Sequence, residues 1–188
     1  MNLLLVGRLN SWKGQSVLLE AVSLLPAILR ARVRVRLVGG VFAAQTHFSQ
    51  QLESAISELN LSDQVDLIPF TRDPTEHYLW ADLVVVPSTK PEPFGLVAIE
   101  GMAAGRPVIA SNHGGLVEIV VDGETGTLMR PGSAEALCAA IAHYGDDPSR
   151  MLREGGAGRK RFAAQFEQKL YKEGIVAVIA EQCLAPSP

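Results

Sequence analysis

The chain has 188 residues, of which 47% are apolar and 20% charged, enough to build a full core and unlike the composition of a disordered segment. Its formal net charge of -3 and the lack of a long basic run argue against a nucleic-acid partner, so any binding of phosphates must be local. No apolar stretch reaches the roughly 18 residues of a membrane span, and the start, MNLLLVGRLN, has neither a basic n-region nor a small-residue cleavage site.

In chain order, short apolar runs stand at 3–6, 33–38, 65–68, 83–86, 108–110 and, more weakly, 127–129. They have the length and composition of strands buried in a parallel sheet. Helical spacing covers 15–29, 46–59, 75–80, 95–104 and 134–144, with a weak turn at 116–120. This alternation predicts an α/β fold: a doubly wound, Rossmann-like parallel sheet of about six strands with helices on both faces. Gly39-Gly40 punctuate the end of the second strand, DPTE (73–76) reads as a helix cap with an early proline, and DGETG (122–126) reads as a turn.

After Asp147 the strand pattern stops, and 148–182 is helical in composition. The apolar run IVAVIA (175–180) packs either on this sheet or on a partner domain, and the closing APSP reads as a frayed tail. We expect one domain over 1–188 with a C-terminal helical segment at 148–188. The first strand begins without a lead-in, which fits either a compact domain or the second half of a longer chain. Cys138 and Cys183 lie far apart with no CxxC spacing and read as buried, reduced thiols.

Ligands of doubly wound sheets lie at the carboxyl ends of the strands, which singles out two loops. GRLNSWKG, after the first strand, carries Arg8 and Lys13, two cations on one loop that can converge on an anion. Alone this is a weak signal, neither GxGxxG nor a Walker A sequence, and solvated charge explains it as well. After the fourth strand comes TKPEPFGLVAIEGMAAGRPVIAS, Thr89 to Ser111. Pro91 and Pro93 stiffen the approach, Gly95 leaves room for a ligand, and a helix then begins with free N–H groups around Phe94 to Val97. Such a helix start favours an anion through both its donors and its dipole.

Two carboxylates flank that start. Glu92 is placed to accept hydrogen bonds from hydroxyls, or else is an acid stabilised by the helix dipole. Glu100 lies about five residues into the helix, roughly 7 to 8 Å along its axis. That is near the span from a nucleotide's terminal phosphate to its ribose, and a carboxylate suits a vicinal diol; the alternative is an exposed helix residue. The apolar surroundings, LVAIEGMAAG, predict that Glu100 is buried and therefore partnered. His47, His77, His113 and His143 form no metal-ligand set by spacing. Of these, His113, just before two glycines, reads either as facing the cleft or as a solvated or locally bonded loop residue.

VGRLNSWKG, RLVGG, VDLIPF and ADLVVVPSTKPEPFGLVAIEGMAAGRPVIASNHGGLVEIVVDGETGTLM, in this order and spacing, resemble the C-terminal domain of retaining GT-B glycosyltransferases of the group 1 (family 4) type. The resemblance covers roughly residues 3–144, and its most specific element is the E-x7-E motif, Glu92 and Glu100. It implies that Arg8 and Lys13 bind the donor's diphosphate and support the charge that builds on it. It further implies that the amides near Phe94, Gly95, Leu96 and Val97 hold the same phosphates, with Pro93 beside them in the donor site. Glu100 would take the ribose, and Glu92 the hydroxyls of the transferred sugar. Phe70, Thr71 and Arg72 would lie against the base, and Gly39 and Gly40 would keep the cleft floor open. Where the family often has GGxPE this chain has GGLVE, Gly114 to Glu118; the missing proline puts the turn there in doubt.

The implied reaction moves a sugar from a nucleoside-diphosphate sugar to an acceptor hydroxyl with retention, in glycan, polysaccharide or glycolipid synthesis. It needs no cofactor and no metal, the two cations standing where a metal would. It does need an N-terminal acceptor domain, without which this chain should bind donor but transfer nothing. The expected location is the cytoplasm, with the full-length enzyme associating peripherally with the inner face of a membrane through its other half. Two rivals are a nucleotide-sugar epimerase of the same architecture and a non-catalytic binding module. A dinucleotide-dependent oxidoreductase is disfavoured because no GxGxxG follows the first strand.

Overall fold

In the computed structural model, which describes residues 1–40 and 47–167, each strand's apolar run is divided between two cores. Leu3 and Leu5 face one side and Leu4 the other; Leu83 and Val85 oppose Val84 and Val86 in the same way. This is the period of two expected of a strand buried on both faces, and it explains why the runs read as continuously apolar.

The elements are β1 (Asn2–Val6), α1 (Gln15–Ser23), α2 (Ala27–Arg30), β2 (Arg34–Val38), α3 (His47–Glu58), β3 (Val65–Ile68), α4 (Thr75–Trp80) and β4 (Leu83–Val86). They continue as α5 (Leu96–Ala103), β5 (Val108–Ser111), α6 (Leu116–Ile119), β6 (Gly126–Met129), α7 (Ala134–Asp146) and α8 (Pro148–Gln165). All strand pairs are parallel, in the order β3-β2-β1-β4-β5-β6. Helices α1, α3 and α7 supply the core on one face, and α4, α5 and α6 that on the other. The fold is therefore the expected doubly wound, Rossmann-like sheet. Its chain order reverses between β1 and β4, so the loops after those two strands flank the switch point where such sheets hold ligands.

The helix expected over 15–29 is two helices. Helix α1 stops at Ser23, and Pro26 introduces α2 with an extended ψ of 139°. Proline has no N–H for the helical ladder, and its ring disfavours helical geometry in the residue before it. The weak turn at 116–120 is the one-turn helix α6. Cys138 is half-buried rather than fully buried, although its partial burial still raises the thiol pKa. Thr46, Cys183, IVAVIA and the closing APSP lie outside the described residues.

Helix α8 is tied to the domain by a polar cluster beneath it. The Tyr144 hydroxyl and the Arg150 guanidinium both donate to the carboxylate of Glu154, which is 3% exposed. Arg150 also donates to Thr127 Oγ1 at 3.1 Å. Asp147 starts the helix by accepting from the Ser149 N–H at 3.1 Å. Among the described residues, no helix is long and apolar enough to cross a membrane.

Candidate functional site

The loop after β1 is shaped by its own polar groups. Asn10 Oδ1 accepts from the Trp12 and Lys13 N–H groups at 3.1 and 2.9 Å, folding the loop back on itself. Gln15 Nε2 donates to the Arg8 carbonyl at 2.9 Å. Gly14, at φ 80°, caps α1 so close to the loop after β4 that a Cβ would lie 2.1 Å from the Pro87 oxygen. The Thr89 N–H donates to the Trp12 carbonyl at 2.8 Å, fastening the two loops together.

The loop after β4 ends at Gly95, whose φ of 92° turns the chain into α5. Among the described residues no side chain caps this helix, and its first turn holds no acid. Ala98 and Ile99 both donate to the Gly95 carbonyl, which leaves the N–H groups of Leu96 and Val97 ahead of the first intrahelical acceptor. The segment is braced from behind by the GGLVE stretch. The Gly115 N–H donates to the Glu92 carbonyl at 2.8 Å, and a Cβ on Gly114 would lie 2.5 Å from that same oxygen. The turn left in doubt by the missing proline is thus formed, with its glycines packed against Glu92 and Phe94.

Between these loops lies a cleft of about 460 Å³. Arg8, Trp12 and Lys13 line one side, and Glu92, Pro93, Phe94, Gly95, Leu96 and Val97 the other. Glu92 is 5% exposed. Its Oε1 accepts from Lys13 Nζ and from Ser88 Oγ, each at 2.6 Å. Lys13 Nζ also stands 4.5 Å from the centre of the Trp12 ring, a favourable cation–aromatic distance. The loop lysine is therefore not a solvated charge: it is neutralised by a buried carboxylate. His113 Nε2 lies 2.9 Å from the Ser88 carbonyl, and since a carbonyl only accepts, the ring nitrogen donates.

The structure does not bring every predicted residue into this cleft. Glu100 is exposed, contrary to the burial expected from its neighbours. The buried face of α5 is Ala98, Ile99, Gly101 and Met102, whereas Leu96, 60% exposed, shares the open face with Glu100. The Glu100 side chain meets Tyr78, whose hydroxyl donates to Oε2 at 2.5 Å. Glu100 lines a neighbouring groove of about 390 Å³ with Pro74, which precedes α4, with Thr75 and Tyr78 of α4, and with Arg159 of α8. Phe70 is 72% exposed, Thr71 and Arg72 stand beside it ahead of α4, and none of the three lines the cleft. Gly39 packs against the backbone that follows β1. It lets β2 approach the β1 loop, because a Cβ there would lie 1.9 Å from the Gly7 carbonyl oxygen. Gly40 faces Phe70 and accepts from the Leu9 N–H at 3.0 Å.

Ser88, Trp12, Tyr78 and His113 contribute to these contacts and were not selected as site residues from the sequence. Asn10, ahead of SWKG, carries a readable turn signal; Ser88 and Tyr78 carry none, because their partners are fixed only by the fold.

A 3-2-1-4-5-6 parallel sheet with a cationic loop facing an uncapped helix start across its switch point has the build of the Rossmann-like half of a GT-B enzyme. The chain belongs to the family Glycosyl transferases group 1, which it matches over residues 2–161. It is 38% identical over 169 residues to D-inositol 3-phosphate glycosyltransferase from Thermobispora bispora, a match covering 87% of this chain and 39% of that protein. Its structure is similar to that of Anabaena HepE in complex with UDP, with TM-score 0.90, 28% identity and coverage of 96% of this chain and 48% of that one. It is also similar to sucrose-phosphate synthase from Thermosynechococcus elongatus, with TM-score 0.88, 35% identity and coverage of 98% and 46%. The chain thus spans less than half the length of each of these relatives.

Proposed function

We propose that this chain is the donor-binding half of a glycosyltransferase that moves a sugar from a nucleoside diphosphate to an acceptor hydroxyl with the anomeric configuration retained. The observation that carries this reading is the convergence of Arg8 and Lys13 with the Glu92 to Val97 segment on one cleft at the switch point. A second domain would hold the acceptor, so the chain alone binds donor without turning it over. HepE has been solved with UDP and with UDP-glucose, which makes uridine nucleotides the first to test.

In this reading the diphosphate lies in the cleft, where the Leu96 and Val97 amides and the α5 dipole receive it. Lys13 leaves Glu92 for the incoming phosphate, and Arg8 closes on it from the loop. As the bond from the anomeric carbon to the phosphate oxygen breaks, the electron pair stays with that oxygen and these cations and amides stabilise the charge, while the acceptor oxygen bonds to the anomeric carbon from the same face and its proton passes to the departing phosphate. Glu92, released from Lys13 but still held by Ser88, accepts from sugar hydroxyls. The nucleoside extends along the helix start into the neighbouring groove, placing the ribose at Glu100 and the base by the Phe70–Thr71–Arg72 loop. The protein's contribution is positioning together with electrostatic support of the leaving group.

Titration calorimetry with UDP, GDP and ADP tests the assignment. At least one should bind, and Lys13→Ala or Arg8→Ala should weaken it by about 1.5 to 3 kcal/mol, as for loss of a charge-assisted hydrogen bond. Absence of binding by all three at millimolar concentration would refute the donor site.

A further inference from the structure

Glu100 stands on the exposed face of α5, where a glutamate samples several rotamers unless something selects one. The contact that selects one here is with Tyr78, which lies 22 residues away in sequence. The Tyr78 ring is 4% exposed and packed in the core shared by α4 and α5, so its hydroxyl has a fixed position. Helix α4 is in turn locked to the turn after α5. Arg106 Nε donates to the Tyr78 carbonyl at 3.2 Å, and its second nitrogen donates to the Leu79 carbonyl at 2.8 Å.

We propose that Tyr78 is a positioning residue for the donor nucleoside, its hydroxyl holding the Glu100 carboxylate in the orientation that receives the two hydroxyls of the ribose. The inference depends on the ribose role of Glu100 given above. A carboxylate offers about four acceptor positions over its two oxygens. Tyr78 uses one of them on Oε2, which leaves Oε1 and the rest of Oε2 for a vicinal diol. Burial, and then the bond to Glu100, raise the Tyr78 pKa far above the ordinary range, so the hydroxyl remains a donor wherever the chain is folded. A phenylalanine at this position would keep the packing and lose only the tether.

The test is titration calorimetry of the full chain, Tyr78→Phe, Glu100→Gln and the double variant, each with UDP and with 2′-deoxy-UDP, after thermal melts confirm folding. Tyr78→Phe should weaken UDP roughly threefold to tenfold, leave 2′-deoxy-UDP nearly unchanged, and add little in the Glu100→Gln background. Equal weakening of both nucleotides, or a Tyr78→Phe effect undiminished in Glu100→Gln, would make Tyr78 merely structural and overturn the inference. If Glu100→Gln weakens UDP while Tyr78→Phe is silent, the inference alone fails. If Glu100→Gln is silent, the ribose reading of Glu100 fails and this inference falls with it.

Discussion

Lys13 and Glu92, 79 residues apart in sequence, meet across the switch point at 2.6 Å, so that the candidate phosphate cation is neutralised by the candidate sugar carboxylate. An incoming diphosphate must compete with Glu92 for Lys13. Glu92→Gln removes that competitor. Bare UDP should bind this variant as tightly as the wild type or more so, whereas UDP-glucose should lose affinity relative to UDP. Parallel calorimetric titrations of the two ligands would show this, and equal losses for both would contradict the division of labour between the two residues.

The same pair bears on stability, because the Glu92 side chain is 7% exposed and that of Lys13 17%. Removing one partner of a buried pair leaves an uncompensated charge, which typically costs several kcal/mol. Lys13→Met should destabilise the chain by about 2 to 4 kcal/mol, the Ser88 bond offsetting part of the loss. The double variant Lys13→Met with Glu92→Gln should recover most of it. Urea unfolding of the three chains measures the coupling.

Gly114 and Gly123 make a matched comparison. Both have positive φ, 60° and 73°, but a Cβ at Gly114 would lie 2.5 Å from the Glu92 carbonyl oxygen, whereas one at Gly123 meets nothing within 4 Å. Gly123→Ala should cost only the left-handed strain, about 1 to 2 kcal/mol. Gly114→Ala should cost more than about 3 kcal/mol and also weaken UDP, because it pushes on the Pro91–Glu92 backbone that leads into the Leu96 and Val97 amides. Denaturation midpoints and UDP affinity of the two variants check this.

At the start of α8, hydrogen bonds from Ser149 and then Arg153 lower the Asp147 pKa from the ordinary 3.8 to about 2. A carboxylate whose pKa is lower in the folded state stabilises that state above its unfolded value and loses the contribution as pH falls through the folded value. Near neutrality the wild type should therefore melt above Asp147→Asn. The gap should close as pH falls from about 4 to about 2. A pH series of melts followed by circular dichroism would reveal a gap that stayed constant, which would mean that the charge contributes nothing.

Much of the fold was legible because a strand buried on both faces leaves an unbroken apolar run, and the predicted strand positions lie close to those observed. The helix at 15–29 was read through Pro26 because the apolar spacing on both sides of it is continuous, although proline's missing donor breaks the ladder there. At the site, the glycine-led helix start at Glu92 to Val97 was legible from local chemistry, whereas Arg8 and Lys13 were a weak signal alone and gained a role only through the family resemblance. The exposure of Glu100 was not legible. The stretch LVAIEGMAAG counts as apolar on every side, yet Leu96 and Glu100 share one open face of α5. Apolar composition therefore overstates burial where a helix start borders a cleft. The Lys13–Glu92 and Tyr78–Glu100 contacts were beyond reach, since each joins segments that only the sheet order brings together.

The most direct test of the donor cleft is its location. In amide correlation spectra of the isotopically labelled chain titrated with UDP, GDP and ADP, saturable shifts should concentrate in 8–14 and 92–97, with smaller ones near Tyr78 and Glu100. Saturable shifts confined to other surfaces, or no shifts with any of the three at millimolar concentration, would contradict the assignment.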